Sequence, residues 1–380
     1  ASYGVLDESL PIAPYAQEAA ARLRPAMSLK ARPIAFSRVP AGGTVGYRIR
    51  LDTRVSARTR IEVVTEGVLT RMLQSDPALT GVGLVIFDEF HERSLDSDLA
   101  LALCLDIQGA LSEDLRILVM SATLDAAPVA RLLGRAPVLT CSGQSFPVET
   151  IYRARQPNQP VVKAVVATII EAAAQGEGSM LVFLPGAYEI RRVARHLEMT
   201  GLGPGWRVAP LYGNLSRDQQ QQAIAPAVPG QSKIVLATSI AETSLTIEGI
   251  RVVVDSGLSR VPRFDAGSGM TRLVTLPVTR ASADQRRGRA GRLGPGRCYR
   301  LLSRDHHNGL SSHARPAILE ADLAPLMLEL AMWGVRDARQ LQWLDPPPDA
   351  ALQQAHRLLT DLAAFDPERR ITQHGRQIGG

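Results

Sequence analysis

Short apolar runs recur along the chain: RIEVV (60–64), LVIF (84–87), RILVM (116–120), MLVFL (180–184), KIVLA (233–237) and RVVVD (251–255). Such runs predict strands buried on both faces, as in a parallel sheet with helices on each side. Between them, PVVKAVVATIIEAAA (160–174) and AYEIRRVARHLEM (187–199) read as helices. Strand and helix alternate, which predicts two consecutive α/β units with parallel sheets. Pro and Gly cluster in GQSFPVETIYRARQPNQP (143–160), which marks the passage between the units. Beyond residue 313 the apolar runs stop. LEADLAPLMLELAMWGV (319–335) and DAALQQAHRLLTDLAAF (349–365) read as helices bracketing WLDPPP, so a small helical domain closes the chain. No internal repeat or low-complexity tract interrupts this order.

Several strands end in polar bursts. In VGLVIFDEFHERSLDSD (82–98), the oily run gives way to Asp88, Glu89, His91, Glu92 and Arg93. Ligands collect at the carboxyl ends of parallel strands. Two adjacent carboxylates there can hold a hydrated metal ion and orient or deprotonate a water. A solvated acidic loop would look the same. RILVM ends in Ser121-Ala122-Thr123, and KIVLA is followed by TSIAETSLTIEGI (238–250), whose hydroxyls and Glu242 sit oddly beside a core strand. QRRGRAGR (285–292) sets Arg286, Arg287, Arg289 and Arg292 among small residues, which let a guanidinium approach a polyphosphate. A generic basic patch is the alternative for that segment.

Composition narrows the field modestly. Hydrophobic content of 45% suits a globular chain, and no apolar run approaches the ~18 residues of a membrane span. The opening ASYGVLDESLPIAPYAQ has neither a basic n-region nor an apolar h-region, so a cytoplasmic location is expected. Cys104, Cys141 and Cys298 lie far apart, and the histidines form no ligand pattern. Net charge is +6, and only Lys30, Lys163 and Lys233 are lysines among the 43 basic residues. Arginine makes bidentate contacts to phosphate, which points to a nucleic-acid partner. A GC-rich genome would raise the arginine share too.

The motif series DEFH (88–91), SAT (121–123), LVFLPG (181–186), TSIAETSLTIEGI and QRRGRAGR resembles that of superfamily 2 helicases of the DEAH/RHA group. With the phenylalanine of DEFH and the flanking HERSLDSDLAL, the chain is most similar to the bacterial HrpB-type branch, from TVGYRIR (44–50) to its end. The resemblance implies two RecA-like parallel-sheet domains, the first incomplete, followed by a small helical winged-helix domain. It implies ATP or another NTP with Mg²⁺ as cofactors, and single-stranded nucleic acid, RNA favoured over DNA, as partner. Asp88 would hold the metal and Glu89, also a metal-site residue, would orient or deprotonate the attacking water. His91 would link that site to the motif carrying Ser121 and Thr123. Gln285, Arg289 and Arg292 would face the nucleotide from the second domain. Thr65 and Glu66, with Thr238, Ser239 and Thr243, would line the path of the strand. Residues 255–277 resemble a strand-separating β-hairpin.

One part of the series is missing. Such hydrolases need a Gly-rich loop ending in Gly-Lys-Ser/Thr, whose amides cradle phosphates. None of the three lysines follows a glycine or precedes Ser or Thr. Residues 1–43 match nothing in the series and carry five prolines. The expected division is therefore an unmatched segment 1–43, a partial ATP-binding domain 44–145, a second RecA-like domain 146–312, and a winged helix with the start of a further region at 313–380. A helicase deficient in hydrolysis as it stands is expected. A catalytically dead nucleic-acid-binding scaffold is the alternative.

Overall fold

The computed structural model describes residues 43–49, 52–122, 125–140, 145–156, 158–176, 178–203, 205–242, 245, 247–265 and 267–379. They form two compact units, one from residues 43–139, 262–272 and 315–379, the other from 140–261 and 273–314. The unmatched segment 1–42, Thr123 and Thr243 lie outside the described residues.

In the first unit, β1 (Thr44–Ile49) pairs antiparallel with β2 (Asp52–Arg54) and parallel with β3 (Thr59–Val64). Helix α1 (Glu66–Ser75) follows, then β4 (Leu84–Phe87), α2 (Leu95–Ala110), β5 (Arg116–Val119) and α3 (Ala126–Leu132). β4 and β5 run parallel with Phe87 opposite Val119. Ser94 starts α2 by accepting from the Ser97 amide, which satisfies one of the orphan donors of the first turn.

The second unit is a six-stranded, wholly parallel sheet. Its strands are β6 (Val148–Tyr152), β7 (Ser179–Phe183), β8 (Trp206–Leu211), β9 (Ser232–Ala237), β10 (Ile250–Asp255) and β13 (Gly296–Arg300), in the order β6-β13-β10-β7-β9-β8. Helices α4 (Val161–Ala174) and α5 (Ala187–Thr200) cover one face. Period-two alternation divides the core between the faces: Met180, Val182, Ile234, Leu236, Val252 and Val254 enter one apolar cluster, while Leu181, Phe183, Val235, Ala237 and Val253 enter the other. Helix α6 (Arg217–Ile224) begins in a capping box between Ser216 and Gln219. β11 (Leu258–Asp265) and β12 (Met270–Pro277) pair as a two-stranded hairpin, and α7 (Arg280–Gly288) and α8 (Arg304–Asn308) flank β13.

The chain then adds α9 (Ala324–Trp333), α10 (Asp349–Asp361) and α11 (Gln373–Gly379) to the first unit. Leu326, Leu330, Leu359 and Phe365 share one buried apolar cluster with Leu69, Leu73, Phe90 and Leu103. Trp333 Nε1 donates to Asp106 Oδ2 at 2.9 Å.

Each apolar run predicts its strand to within one residue. The two late helices are shorter than their patterns. Asp322 accepts from the Ala324 amide and Pro325 occupies the first turn, so α9 starts there, and Gly334 closes it with φ of 93°. α10 stops before Ala363, whose φ of 54° turns the chain toward the bridge between Phe365 and Ile371. Among the described residues no helix is long and apolar enough to cross a membrane.

Candidate functional site

β4 delivers the acidic turn. Its apolar side chains Val85, Ile86 and Phe87 are buried, and the chain leaves the sheet at Asp88. The Phe90 amide donates to Met120 O at 3.0 Å and the Met120 amide to Phe87 O at 2.8 Å, tying the turn to the end of β5. Phe90–Glu92 form a 3₁₀ turn, flanked by Glu89 with φ of 51° and Arg93 with φ of 49°. Left-handed backbone at two non-glycine residues is costly and persists only where surrounding contacts fix it.

Asp88 Oδ1 accepts from the Glu89 amide at 2.9 Å. His91 Nδ1 lies 3.5 Å from Glu89 Oε2, and the Ala122 amide approaches the same nitrogen at 3.5 Å. Glu89, His91 and the Ser121-Ala122 turn are therefore brought together. Among the described residues no group of three or more His, Cys, Asp or Glu could hold a metal ion. That is compatible with Mg²⁺, which keeps several waters and takes one or two carboxylates plus substrate phosphates. Cys104 and Cys298 are buried, burial pushes both thiols up to about 12, and neither suits nucleophilic chemistry.

Thr65 is exposed at the start of α1, and Glu66 accepts from Ser94 Oγ at 2.8 Å. The backbone after DEFH is thus tethered to Glu66 through Ser94. Sequence reasoning named Arg93 in the polar burst and gave it no role. Its guanidinium is buried, donating from Nε and Nη2 to Asp98 at 3.0 and 3.1 Å and from Nη1 to Asp345 Oδ2 at 2.7 Å. Burial pushes the Asp98 carboxyl above its ordinary value, and the hydrogen bonds from Arg93 oppose that shift. A basic residue directly after HE was visible in the sequence; its partner in WLDPPP was not.

In the second unit, the arginine motif spans the end of α7 and a 3₁₀ turn, Arg289–Gly291. Its arginines divide by environment. Arg286 is buried, donating to Glu242 Oε2 at 3.0 Å, to Asp255 Oδ1 at 2.8 Å and to Leu258 O at 3.2 Å, with its guanidinium 4.8 Å from the Phe183 ring centroid. Arg289 is also buried; it donates from Nε to Glu242 O at 2.9 Å and from Nη1 to Leu245 O. Arg292 is exposed, and Gln285 is half-buried. The odd polarity of Glu242 is explained: its carboxylate answers Arg286 and its carbonyl answers Arg289. Thr238 and Ser239 lie just before that segment, at the end of β9 and in the 3₁₀ turn Ser239–Ala241. Gly291 permits the close approach of Phe146 O, which would stand 2.6 Å from a Cβ there.

At the hairpin root, Arg260 reaches Glu189 Oε1 at 3.4 Å beside Gly186 of LVFLPG. Further out, Met270, Leu273 and Val274 of β12 are exposed.

A family model described as the helicase conserved C-terminal domain matches residues 161–294. The chain is 52% identical over 328 residues to the ATP-dependent RNA helicase HrpB of Escherichia coli (strain K12), an alignment covering 86% of this chain and 40% of that protein. It is 37% identical over 342 residues to the pre-mRNA-splicing factor ATP-dependent RNA helicase prp22 of Schizosaccharomyces pombe, covering 88% of this chain and 29% of that one. A crystal structure of the Escherichia coli DEAH/RHA helicase HrpB superposes with a TM-score of 0.83 at 50% identity, covering 89% of this chain and 43% of that chain. The chain therefore spans less than half the length of these relatives.

Proposed function

Because the chain belongs to the DEAH/RHA group of helicases, in its HrpB-type branch, we propose that it is the motor portion of an ATP-dependent RNA helicase. The observation that carries this reading is the acidic turn at the end of β4, bound by main-chain hydrogen bonds to the end of β5 and carrying Glu89 and His91 against the Ser121-Ala122 turn. Asp88 and Glu89 would hold Mg²⁺, which would neutralise charge on the nucleotide phosphates. Glu89 orients the attacking water and takes its proton. His91 and Ser121 relay the state of that turn to the strand path, where Thr65, Glu66, Thr238 and Ser239 contact sugar and phosphate without reading sequence. Thr123 belongs with Ser121 to that relay, and Thr243 to the proposed strand path. Gln285, Arg289 and Arg292 serve the γ-phosphate, and residues 255–277 act as the separating wedge. The working division is two RecA-like domains at 44–145 and 146–312, with a winged helix from 313 onward.

No Gly-Lys-Ser/Thr occurs in these 380 residues. That favours a second reading for the polypeptide as it stands: it binds strands and hydrolyses little. The test is equilibrium binding of labelled single-stranded RNAs of unrelated sequence, with DNA of the same sequences alongside. Similar affinity across sequences, with RNA the tighter ligand, is expected. Absence of binding to every strand would overturn the proposal.

A further inference from the structure

We infer that Asp345, far along the chain in WLDPPP, is a positioning residue for the Asp88–His91 turn, acting through Arg93. The inference rests on the reading of that turn as the hydrolytic one.

The turn is an unfavourable piece of backbone. Glu89 and Arg93, on either side of Phe90–Glu92, both occupy the left-handed region. Each such residue is strained there and must be held by its surroundings. Five contacts converge on Arg93 to hold it. Its amide donates to Phe90 O at 3.1 Å, closing the turn. Its guanidinium stands 5.6 Å from the Phe90 ring centroid and lies bidentate on Asp98 of α2. Its last donor, Nη1, goes to Asp345 Oδ2 at 2.7 Å, and its carbonyl accepts from the Ala317 amide at 3.0 Å. The C-terminal segment thus grips both the side chain and the main chain of the residue that ends the turn.

Asp345 is well placed for this role. Pro346, Pro347 and Pro348 follow it, and proline fixes φ, so the carboxylate is presented from a stiff segment. Leu344 and Trp343 pack against the same apolar cluster as Phe90. The Arg93 side chain is 7% exposed, so losing one of two carboxylate partners leaves a buried guanidinium short of an acceptor. Asp345 is 38% exposed at its side chain, so its removal opens no cavity. The consequence should be local.

Hydrogen exchange on the full chain, without nucleotide or strand, tests the inference. In Asp345→Ala the amides of Phe90, Glu92 and Arg93 are expected to exchange at least about tenfold faster, while those of Val85–Phe87 in β4 stay within about twofold. Asp345→Asn, which keeps the shape and removes the charge, should show the same pattern, and Asp345→Glu should restore protection. Unchanged exchange in the turn would overturn the inference. So would acceleration spread evenly over β4 and α2, which a merely structural role would give. The measurement needs no hydrolysis, so it reads out even if the turn proves not to be hydrolytic. Failure of strand or nucleotide function with the turn's exchange behaving as stated would strike the functional reading alone.

Discussion

Arg286 donates through Nη1 to Asp255 Oδ1 at 2.8 Å, with side-chain exposures of 1% and 0%. Asp255 also accepts from the Gly257 amide, and Glu242 supplies a second carboxylate to the same guanidinium. Removing one member of a buried charge set strands the others, at about 3–5 kcal/mol. Arg286→Met should therefore lower the urea midpoint of the second unit sharply, read from Trp206, the tryptophan of that unit. Glu242→Gln should cost less, because that side chain keeps 12% exposure. An unchanged midpoint in Arg286→Met would show that the pair contributes nothing net.

The two later arginines of the motif, Arg289 and Arg292, should behave differently from Arg286. In a version carrying a phosphate loop, Arg292→Ala is expected to lower turnover by roughly 10³-fold or more, as loss of an arginine finger does, with strand affinity nearly unchanged. Arg289→Ala should do the same and also speed amide exchange in the segment after Glu242, because its guanidinium is seated on the carbonyls of Glu242 and Leu245. Weaker strand binding with turnover per bound strand intact would make both arginines a simple basic patch.

His307 gives the second unit an acid-side weakness. Arg300 Nη1 lies 2.9 Å from its Nε2, so the ring presents a lone pair and is neutral. Burial and then Arg300 push its pKa below the ordinary 6.5, with Asp284 opposing. The unfolded chain takes up a proton near 6.5 while the folded one resists, so stability is full above that pH and falls as pH drops below it. Urea midpoints read from Trp206 should decline between pH 7.5 and 5.5, and His307→Gln should flatten that decline. Parallel profiles for the two proteins would remove His307 as a cause.

The parallel sheet of the second unit was legible because Val-, Ile- and Leu-rich runs have few other uses. The end of the strand after LVIF was legible too, since an unbroken apolar run that gives way to charge marks where a chain leaves a sheet. What pattern could not supply was pairing across distance. Glu242 stood out as a polar residue beside a core strand and Arg286 as one of four arginines among small residues, yet nothing local joins them. Arg93 and Asp345 were harder still, because Asp345 reads as an ordinary turn residue before prolines. The start of α9 slipped because period-3.6 apolar spacing continues through Leu319, while the Asp322 side chain and Pro325 set the actual first turn.

Strand binding should be electrostatic at heart. With net charge +6 and hydroxyls along the proposed path, affinity should fall steeply between low and moderate salt as condensed counterions are released, with a slope of about −0.7 per phosphate contacted on a single strand. A titration across salt concentrations on two unrelated RNA sequences measures this. Flat affinity, or a strong preference for one sequence, would count against backbone recognition.

Hydrolysis by residues 1–380 alone is expected to be negligible, even with RNA bound. Catalysis of phosphoryl transfer is chiefly positioning and charge stabilisation, and the phosphate loop provides most of the donors that hold a triphosphate in line. Asp88 and Glu89 sit on a turn that main-chain bonds to β5 keep in shape, but carboxylates repel phosphates unless a cation and amide donors intervene. Grafting an intact phosphate loop, with its strand and helix, ahead of residue 44 should restore strand-stimulated ATPase, and Glu89→Gln should abolish it again. The graft bears on solubility as well. Among the described residues β5 pairs only with β4, and its Leu118 is 40% exposed; an open apolar strand edge invites association with other chains. The ungrafted protein should therefore aggregate more readily by light scattering. Robust, Glu89-dependent ATPase from residues 1–380 without the graft would show that the phosphates are held by residues outside the motif series.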